Sequence, residues 1–164
     1  MSWKKILALA CLAVTSFALG QISAGGSHHL HATTLENLST AMHGEAFAHA
    51  KYTVFAEHAR EEGNPELAKL FETTANTEKY EHFAEEAKLA GIVGSDIENL
   101  KDAIAGESYE SQTMYPDFAA AADRVGDHEA ALRFREIAAD EARHLDAFRV
   151  ELAHLEAQSH SGQP

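Results

Sequence analysis

Apolar positions recur at helical spacing through four long segments, and each segment is closed by its own punctuation. The first, helix A, opens on the capping-box pattern Thr33-x-x-Glu36 and stops at Gly63. Helix B takes Asn64 as N-cap and Pro65 as its first helical residue, and ends near Gly91. Helix C opens on Ser95-x-x-Glu98 and stops at Gly126. Helix D has Asp127 as N-cap and runs to about Gln158. Two antiparallel hairpins joined in the middle predict an all-α four-helix bundle over residues 33–158.

The two hairpins repeat each other. Leu35-Glu36-Asn37-Leu38 matches Ile97-Glu98-Asn99-Leu100, and Gly44-Glu45 matches Gly106-Glu107, both at an offset of 62. Tyr52, Phe55-Ala56 and Gly63 match Tyr115, Phe118-Ala119 and Gly126, and Glu78 matches Glu141, at an offset of 63. One residue has been gained between Glu107 and Tyr115. A helix absorbs such an insertion as a π-bulge, a feature found often at functional sites. The inserted turn carries Glu110, which has no acidic counterpart in helix A.

The apolar stripes carry acids. Glu45 lies seven residues after Leu38 and seven before Tyr52; Glu78 lies seven after Phe71; Glu107 lies seven after Leu100. Glu141 shares its face with Phe134, Ile137 and Phe148, and His144 follows it at i+3. Each helix thus aims a glutamate inward at mid-length. Carboxylates crowded into an apolar core repel one another unless cations intervene. A pair of hard ions resolves the conflict, and carboxylate donors suit iron or manganese. Single glutamates on two helices with Glu-x-x-His on others is the donor pattern of carboxylate-bridged di-metal bundles.

Composition narrows the reading. The chain has 164 residues, enough for one domain with a core, and only three prolines. Its formal charge of −13 argues against nucleic acid or an anionic membrane surface as partner. The single cysteine, Cys11, lies in the leader, so no disulfide, Cys-x-x-Cys site or cysteine nucleophile is expected in the mature protein. Residues 1–24 read as a signal peptide: Lys4 and Lys5, then an apolar run from Ile6 to Leu19, then small residues near Ala24. A periplasmic or secreted location follows as an expectation, with a retained membrane anchor as the alternative. Residues 25–32 read as a flexible histidine-containing segment and 159–164 as a disordered tail. His43, His49, His58, His128 and His154 read as solvated helix positions.

From Thr33 to about Leu155 the sequence resembles the rubrerythrins, within the ferritin-like superfamily. The segments that carry the resemblance are Gly44-Glu45 with Tyr52, Ala75-Asn76-Thr77-Glu78-Lys79, Ala105-Gly106-Glu107 with Tyr115-Pro116-x-Phe118-Ala119, and Glu141-x-x-His144. The resemblance implies two iron ions (manganese is the alternative), with Glu78 and Glu141 bridging them. It assigns Glu45 and Glu110 to one ion and Glu107 and His144 to the other. Tyr52 and Tyr115 would orient the glutamates by hydrogen bonds. The family's helix B usually reads Glu-x-x-His, but here Glu81 stands three residues after Glu78. His82 comes one later, about 100° further round an α-helix, so Glu81 rather than His82 is the expected donor. The family's C-terminal rubredoxin domain has no counterpart in this sequence.

The activity so implied is a non-haem di-iron peroxidase acting on hydrogen peroxide, with Glu110 or Glu81 carrying the proton and a separate donor protein supplying electrons. Ferroxidase action with dioxygen, or iron or manganese sequestration without catalysis, are the alternatives. The helix B to helix C connection adds a partner. Ferritin-like bundles need one long crossover there, yet Gly91 to Ser95 can span only about 17 Å. Either the helix ends unwind, or helices C and D pack on helices A and B of another chain; the expectation is a homodimer, domain-swapped, with two sites.

Overall fold

The computed structural model describes residues 30–161. The leader reading (1–24), residues 25–29 of the histidine-containing segment and the last three residues of the tail lie outside the described residues. The helices belong to a unit that begins at Ala32. In order they are α1 (Ala32–Glu61), α2 (Pro65–Thr77), a first π turn (Glu78–Phe83), α3 (Ala84–Ala90), α4 (Asp96–Tyr109), a second π turn (Glu110–Met114), α5 (Tyr115–Val125) and α6 (His128–Ser161). Helix A is therefore α1. Helix B is α2, the first π turn and α3. Helix C is α4, the second π turn and α5, and helix D is α6. The all-α class and the two repeated helical hairpins are as the sequence predicts.

The stops come where glycine allows them. Gly63, Gly91 and Gly126 adopt φ of +76°, +66° and +89°, a left-handed conformation open to glycine at little cost. Helix C starts on a complete capping box: the Glu98 amide donates to Ser95 Oγ at 3.3 Å, and the Ser95 amide donates to Glu98 Oε2 at 2.8 Å. Ser95→Ala is expected to lower stability by about 1 kcal/mol, measured by thermal unfolding. Two expected caps differ. Helix A begins at Ala32, so Thr33 is already helical. Asn64 occupies the N-cap of helix B but makes no side-chain cap bond; Pro65, with its fixed φ, sets the start instead.

Within each hairpin the helices meet through small residues. Ala56, Ala59, Ala68, Ala75 and Ala87 are buried in the first, and Ala119, Ala122 and Ala131 in the second. Alanine lets two helices approach closely but buries little apolar area. Larger side chains gather beside these seams as two matching aromatic clusters. Tyr52, Phe55 and Phe71 have ring centroids 5.4 to 6.3 Å apart, and Tyr115, Phe118 and Phe134 have theirs 5.6 to 6.2 Å apart. Near the turns, Arg60 pairs with Glu72 in the first hairpin and Arg135 with Asp123 in the second. The positions correspond at the 63-residue offset, with the charges exchanged.

Among the described residues, all helix–helix contacts lie inside one hairpin or the other. Phe55, Leu67, Leu70 and Phe118 are exposed as a result. The connection between the hairpins is held at both ends. The Ile92 amide donates back to the Ala87 carbonyl at 3.2 Å, completing the glycine stop. On the other side Asn99 brackets Gly94, accepting from its amide at 2.8 Å and donating to its carbonyl at 3.1 Å. No helix among the described residues is long and apolar enough to cross a membrane.

Candidate metal centre

Each hairpin builds a cluster of two carboxylates and one imidazole. In the first, Glu45 from α1 meets Glu78 and His82 from the first π turn, with one ligand atom from each within 4.8 Å of the others. In the second, Glu107 from α4 meets Glu141 and His144 from α6 under the same limit. The geometry repeats closely. His82 Nδ1 lies 2.8 Å from Glu78 Oε2 and 3.8 Å from Glu45 Oε2. His144 Nδ1 lies 2.7 Å from Glu141 Oε2 and 3.8 Å from Glu107 Oε2. The four inward glutamates thus converge two by two within one chain, rather than all at one point.

The first π turn corrects the reading of helix B. In an i→i+5 turn each residue advances less than the ~100° of an α-helix, so the fourth residue on falls near where the third would otherwise fall. Glu78-x-x-x-His82 is thereby placed like Glu141-x-x-His144. His82 faces the site after all. Glu81 is exposed, and the cluster forms without it. The second π turn is the insertion legible in the repeat. It begins at Glu110, which is half-buried and sits where the charge of Glu141 reaches it.

Like charges dominate the electrostatics. A hydrogen bond shared with Glu78 raises the Glu45 carboxyl above its ordinary value, followed by burial and the negative charges of Glu78 and Glu86, with His82 opposing. Burial raises Glu107, as does the hydrogen bond it shares with Glu141. Burial and the charge of Glu141 raise Glu110. His82 is also raised, chiefly by its bond to Glu78. Crowding of like charges in each cluster favours either a proton or a bound cation among the carboxylates. Two carboxylate oxygens, Glu86 Oε2 and Glu107 Oε2, are buried without a hydrogen-bond partner. Hard oxygen donors with one imidazole, left under-satisfied, fit iron or manganese.

The sign of these shifts predicts a pH dependence. Groups raised on folding bind more protons in the folded chain, so their stabilisation is lost as pH climbs through their folded values. For the glutamates that window opens above the ordinary 4.5, and for His82 above 6.5. Glu98 and Asp123 are lowered, by the Ser95 amide and by Arg135 respectively. Their contribution is already complete above their ordinary values of 4.5 and 3.8 and adds no slope at higher pH. Metal-free protein is therefore expected to melt at lower temperature at about pH 8 than at about pH 5.5. Metal affinity should rise over the same interval, because ions and protons compete for the same oxygens. Melting curves of chelator-treated protein across pH check the first, and metal titrations at the two pH values check the second.

Tyr52 packs against Phe71 at 6.1 Å in a stacked arrangement, and neither its hydroxyl nor that of Tyr115 hydrogen-bonds a glutamate. Burial raises the Tyr115 hydroxyl, and the charges of Glu110, Glu141 and Glu107 add to this, which places it beside the second cluster. Glu86 was not anticipated. It lies four residues after His82 and its charge reaches Glu45; the i+4 spacing from His82 was the available signal. His49 is not simply solvated: its Nδ1 donates to the Ala75 carbonyl at 2.9 Å, tying α1 to α2 just before the first π turn. His43, His58, His128 and His154 are exposed, as expected.

Comparison with known proteins identifies a family. The family profile described as Rubrerythrin matches residues 36–152. A rubrerythrin of Porphyromonas gingivalis is 41% identical over 136 residues, spanning 75% of this chain and 68% of its own. Nigerythrin of Nitratidesulfovibrio vulgaris is 36% identical over 130 residues, spanning 71% of this chain and 64% of its own. A solved nigerythrin structure, described as fully reduced and all ferrous, is 33% identical, covers 85% of this chain and 72% of that one, and has a TM-score of 0.40. On the profile and the P. gingivalis relative, this chain, with its two carboxylate–histidine sites, belongs to the rubrerythrin family.

Proposed function

We propose that the protein is a di-iron peroxidase that reduces hydrogen peroxide and is reset by a separate electron donor. The observation that carries this reading is the pair of matched clusters, Glu45/Glu78/His82 and Glu107/Glu141/His144, in a rubrerythrin-family chain. Glu45, Glu78 and His82 of the first hairpin and Glu107, Glu141 and His144 of the second would hold two iron ions. Bound there, the ions would supply the electrons that peroxide reduction consumes.

The chain's own residues supply the rest. Six inward donors fix where an oxidant binds and neutralise the charge of the cations. Glu110, half-buried, with its carboxyl raised by burial and by Glu141, holds a proton more firmly than an exposed glutamate would. It can deliver that proton to an oxygen leaving the site. Glu81, being exposed, is a weaker candidate for the same task. The leader-type sequence of residues 1–24 supports action outside the cytoplasm.

Rapid mixing of the reduced, iron-loaded protein with each oxidant tests the assignment. Reoxidation by peroxide should outpace reoxidation by dioxygen by at least about tenfold, a barrier difference of about 1.4 kcal/mol. The reverse order would assign a ferroxidase, and no reaction with either would leave metal sequestration. Glu110→Gln should slow the peroxide reaction by roughly 100-fold, within the usual range for a general acid, while leaving the number of bound ions unchanged.

A further inference from the structure

We propose that His49 is a positioning residue for the metal site: it holds helix B in the register that turns His82, rather than Glu81, toward Glu45 and Glu78. This role rests on the donor set above for its effect on metal, and on backbone geometry for the register itself.

Helix B contains one residue too many. Glu78 and His82 are four apart where Glu141 and His144 are three apart, and the surplus is taken up by the π turn Glu78–Phe83. Helices adopt i→i+5 bonding rarely, and for a turn at a time. Left to itself, helix B would return to i→i+4 bonding, and everything beyond the insertion would rotate by about 100°. Glu81 would then stand three after Glu78, in the place that His144 takes beside Glu141, and His82 would leave the site face. The π turn persists if helix B is pinned to helix A on both sides of it.

Both pins are present. Beyond the turn, α3 packs on α1 and Ala87 is buried. Before it, α2 packs on α1 and Ala75 is buried. On a straight α-helix two residues twelve apart point about 120° away from each other, too far for both to face α1. By absorbing one residue, the π turn brings Ala75 and Ala87 back to within about 20°. A methyl group resists rotation weakly, so the Ala75 pin needs a directional bond. His49 supplies it: its Nδ1 donates to the Ala75 carbonyl at 2.9 Å across the seam. The same carbonyl accepts from the Glu78 amide, so the imidazole grips the peptide group that sets the direction of Glu78. On α1, His49 lies four after Glu45, on the same face. One side chain thus ties together the two backbones that carry the crowded carboxylates, about one turn from each.

The second hairpin meets the same need within one helix. The residue that matches His49 at an offset of 62 is Ser111, inside the second π turn, and its hydroxyl donates to the Glu107 carbonyl at 2.6 Å. Each π turn is thus accompanied by a side chain bonded to backbone at a metal-site glutamate. In the first hairpin that side chain comes from the neighbouring helix, which gives helix A control over the register of helix B. His49 also lines a cleft of about 520 Å3 with Thr53, Glu57, Arg60 and Glu72. Water there competes for the carbonyl, so the bond shifts the balance of registers by about two- to tenfold, the usual net effect of one hydrogen bond.

Amide hydrogen exchange of chelator-treated protein tests the register without metal. His49→Leu should speed exchange from Lys79 to Phe83 by about two- to tenfold. His49→Asn, whose side-chain amide nitrogen takes the place of Nδ1, should restore the slower rate. In a chain from which Glu81 has been deleted no π turn is needed, and there His49→Leu should change exchange by less than about twofold. Exchange that His49→Leu leaves unchanged, or that His49→Asn fails to restore, overturns the proposal. Equal speeding with and without Glu81 marks His49 as ordinary seam packing and overturns it too. Cobalt(II) titration reads the consequence. His49→Leu should weaken binding by about two- to tenfold while Glu81 is present and by less than about twofold once it is deleted, with His49→Asn restoring affinity. Unchanged affinity, or an equal loss in both backgrounds, overturns the positioning role. Unaltered protein that binds no cobalt(II) would sink the donor set, and the exchange measurements would still decide the register.

Discussion

Replacing Glu78 with alanine is expected to weaken binding of the metal pair by more than about 100-fold, since even removing a residue that only supports a ligand costs 10- to 100-fold. Glu78 stands at the centre of the first cluster: it shares a hydrogen bond with Glu45 and holds His82 at 2.8 Å. Its loss removes two contacts at once. The metal-free variant, by contrast, should be at least as stable as the unaltered chain at neutral pH. Two crowded carboxylates become one, and the repulsion that raises the Glu45 carboxyl is relieved. Opposite effects on metal affinity and on apo stability are the signature of a site arranged for cations. A side chain that merely packed would lower both. Isothermal titration with ferrous iron under anaerobic conditions, beside melting curves of the chelated protein, reads the two effects separately.

The second large effect distinguishes His82 from Glu81. His82→Ala should weaken metal binding by at least about 10- to 100-fold, whereas Glu81→Ala should change it by less than about threefold, a few tenths of a kcal/mol as expected of an exposed position. Deleting Glu81 outright is the sharper version. It leaves Glu78-Lys79-Tyr80-His82, the same Glu-x-x-His spacing as Glu141 and His144, and removes the residue that the first π turn absorbs. Helix B then continues as plain α-helix with the imidazole still on the site face. Metal binding should survive within about tenfold, at most about 1.4 kcal/mol of binding energy. If Glu81 is itself a donor, the deletion instead abolishes binding of one ion. Titration of the three variants side by side gives the answer.

These residues also show how far the sequence could be read. Helix C's π turn was legible because the repeat offset steps from 62 at Glu45 and Glu107 to 63 at Tyr52 and Tyr115. Helix B's π turn left the same kind of trace, since Glu78 and Glu141 match at 63 while His82 and His144 match at 62. Read on an intact α-helix, that second step looks like a ligand replacement and puts His82 on the wrong face; the π turn brings it to the site. A hydrogen-bond register is not written in side-chain periodicity, so phase arguments fail where it changes. The helix stops at Gly63, Gly91 and Gly126 were readable because each needs a positive φ. The Thr33 cap was not, since helix ends shift by a residue with little cost. Glu86 was passed over because its place beside Glu45 depends on the widened turn that precedes it.

The arrangement explains an economy in the buried seams. A hairpin sealed by alanine is a poor domain but a good half of one. It leaves Phe55, Leu67, Leu70 and Phe118 exposed. Surface ion pairs such as Arg60 with Glu72 add little, typically below about 1 kcal/mol each. Much of the stability is therefore expected to come from closing the apolar faces and from binding the cations. Chelation should lower the melting temperature sharply, and re-addition of ferrous iron should restore it.

The central claim is that the two clusters serve one dinuclear centre rather than two separate ions. Anaerobic titration of the chelated protein with ferrous iron, followed by variable-temperature magnetisation of the product after oxidation, tests it most directly. The account predicts two ions per chain bound with a single break point and magnetically coupled to each other. Two uncoupled ions, each behaving as an isolated site in its own hairpin, would contradict it, as would a stoichiometry of one or none.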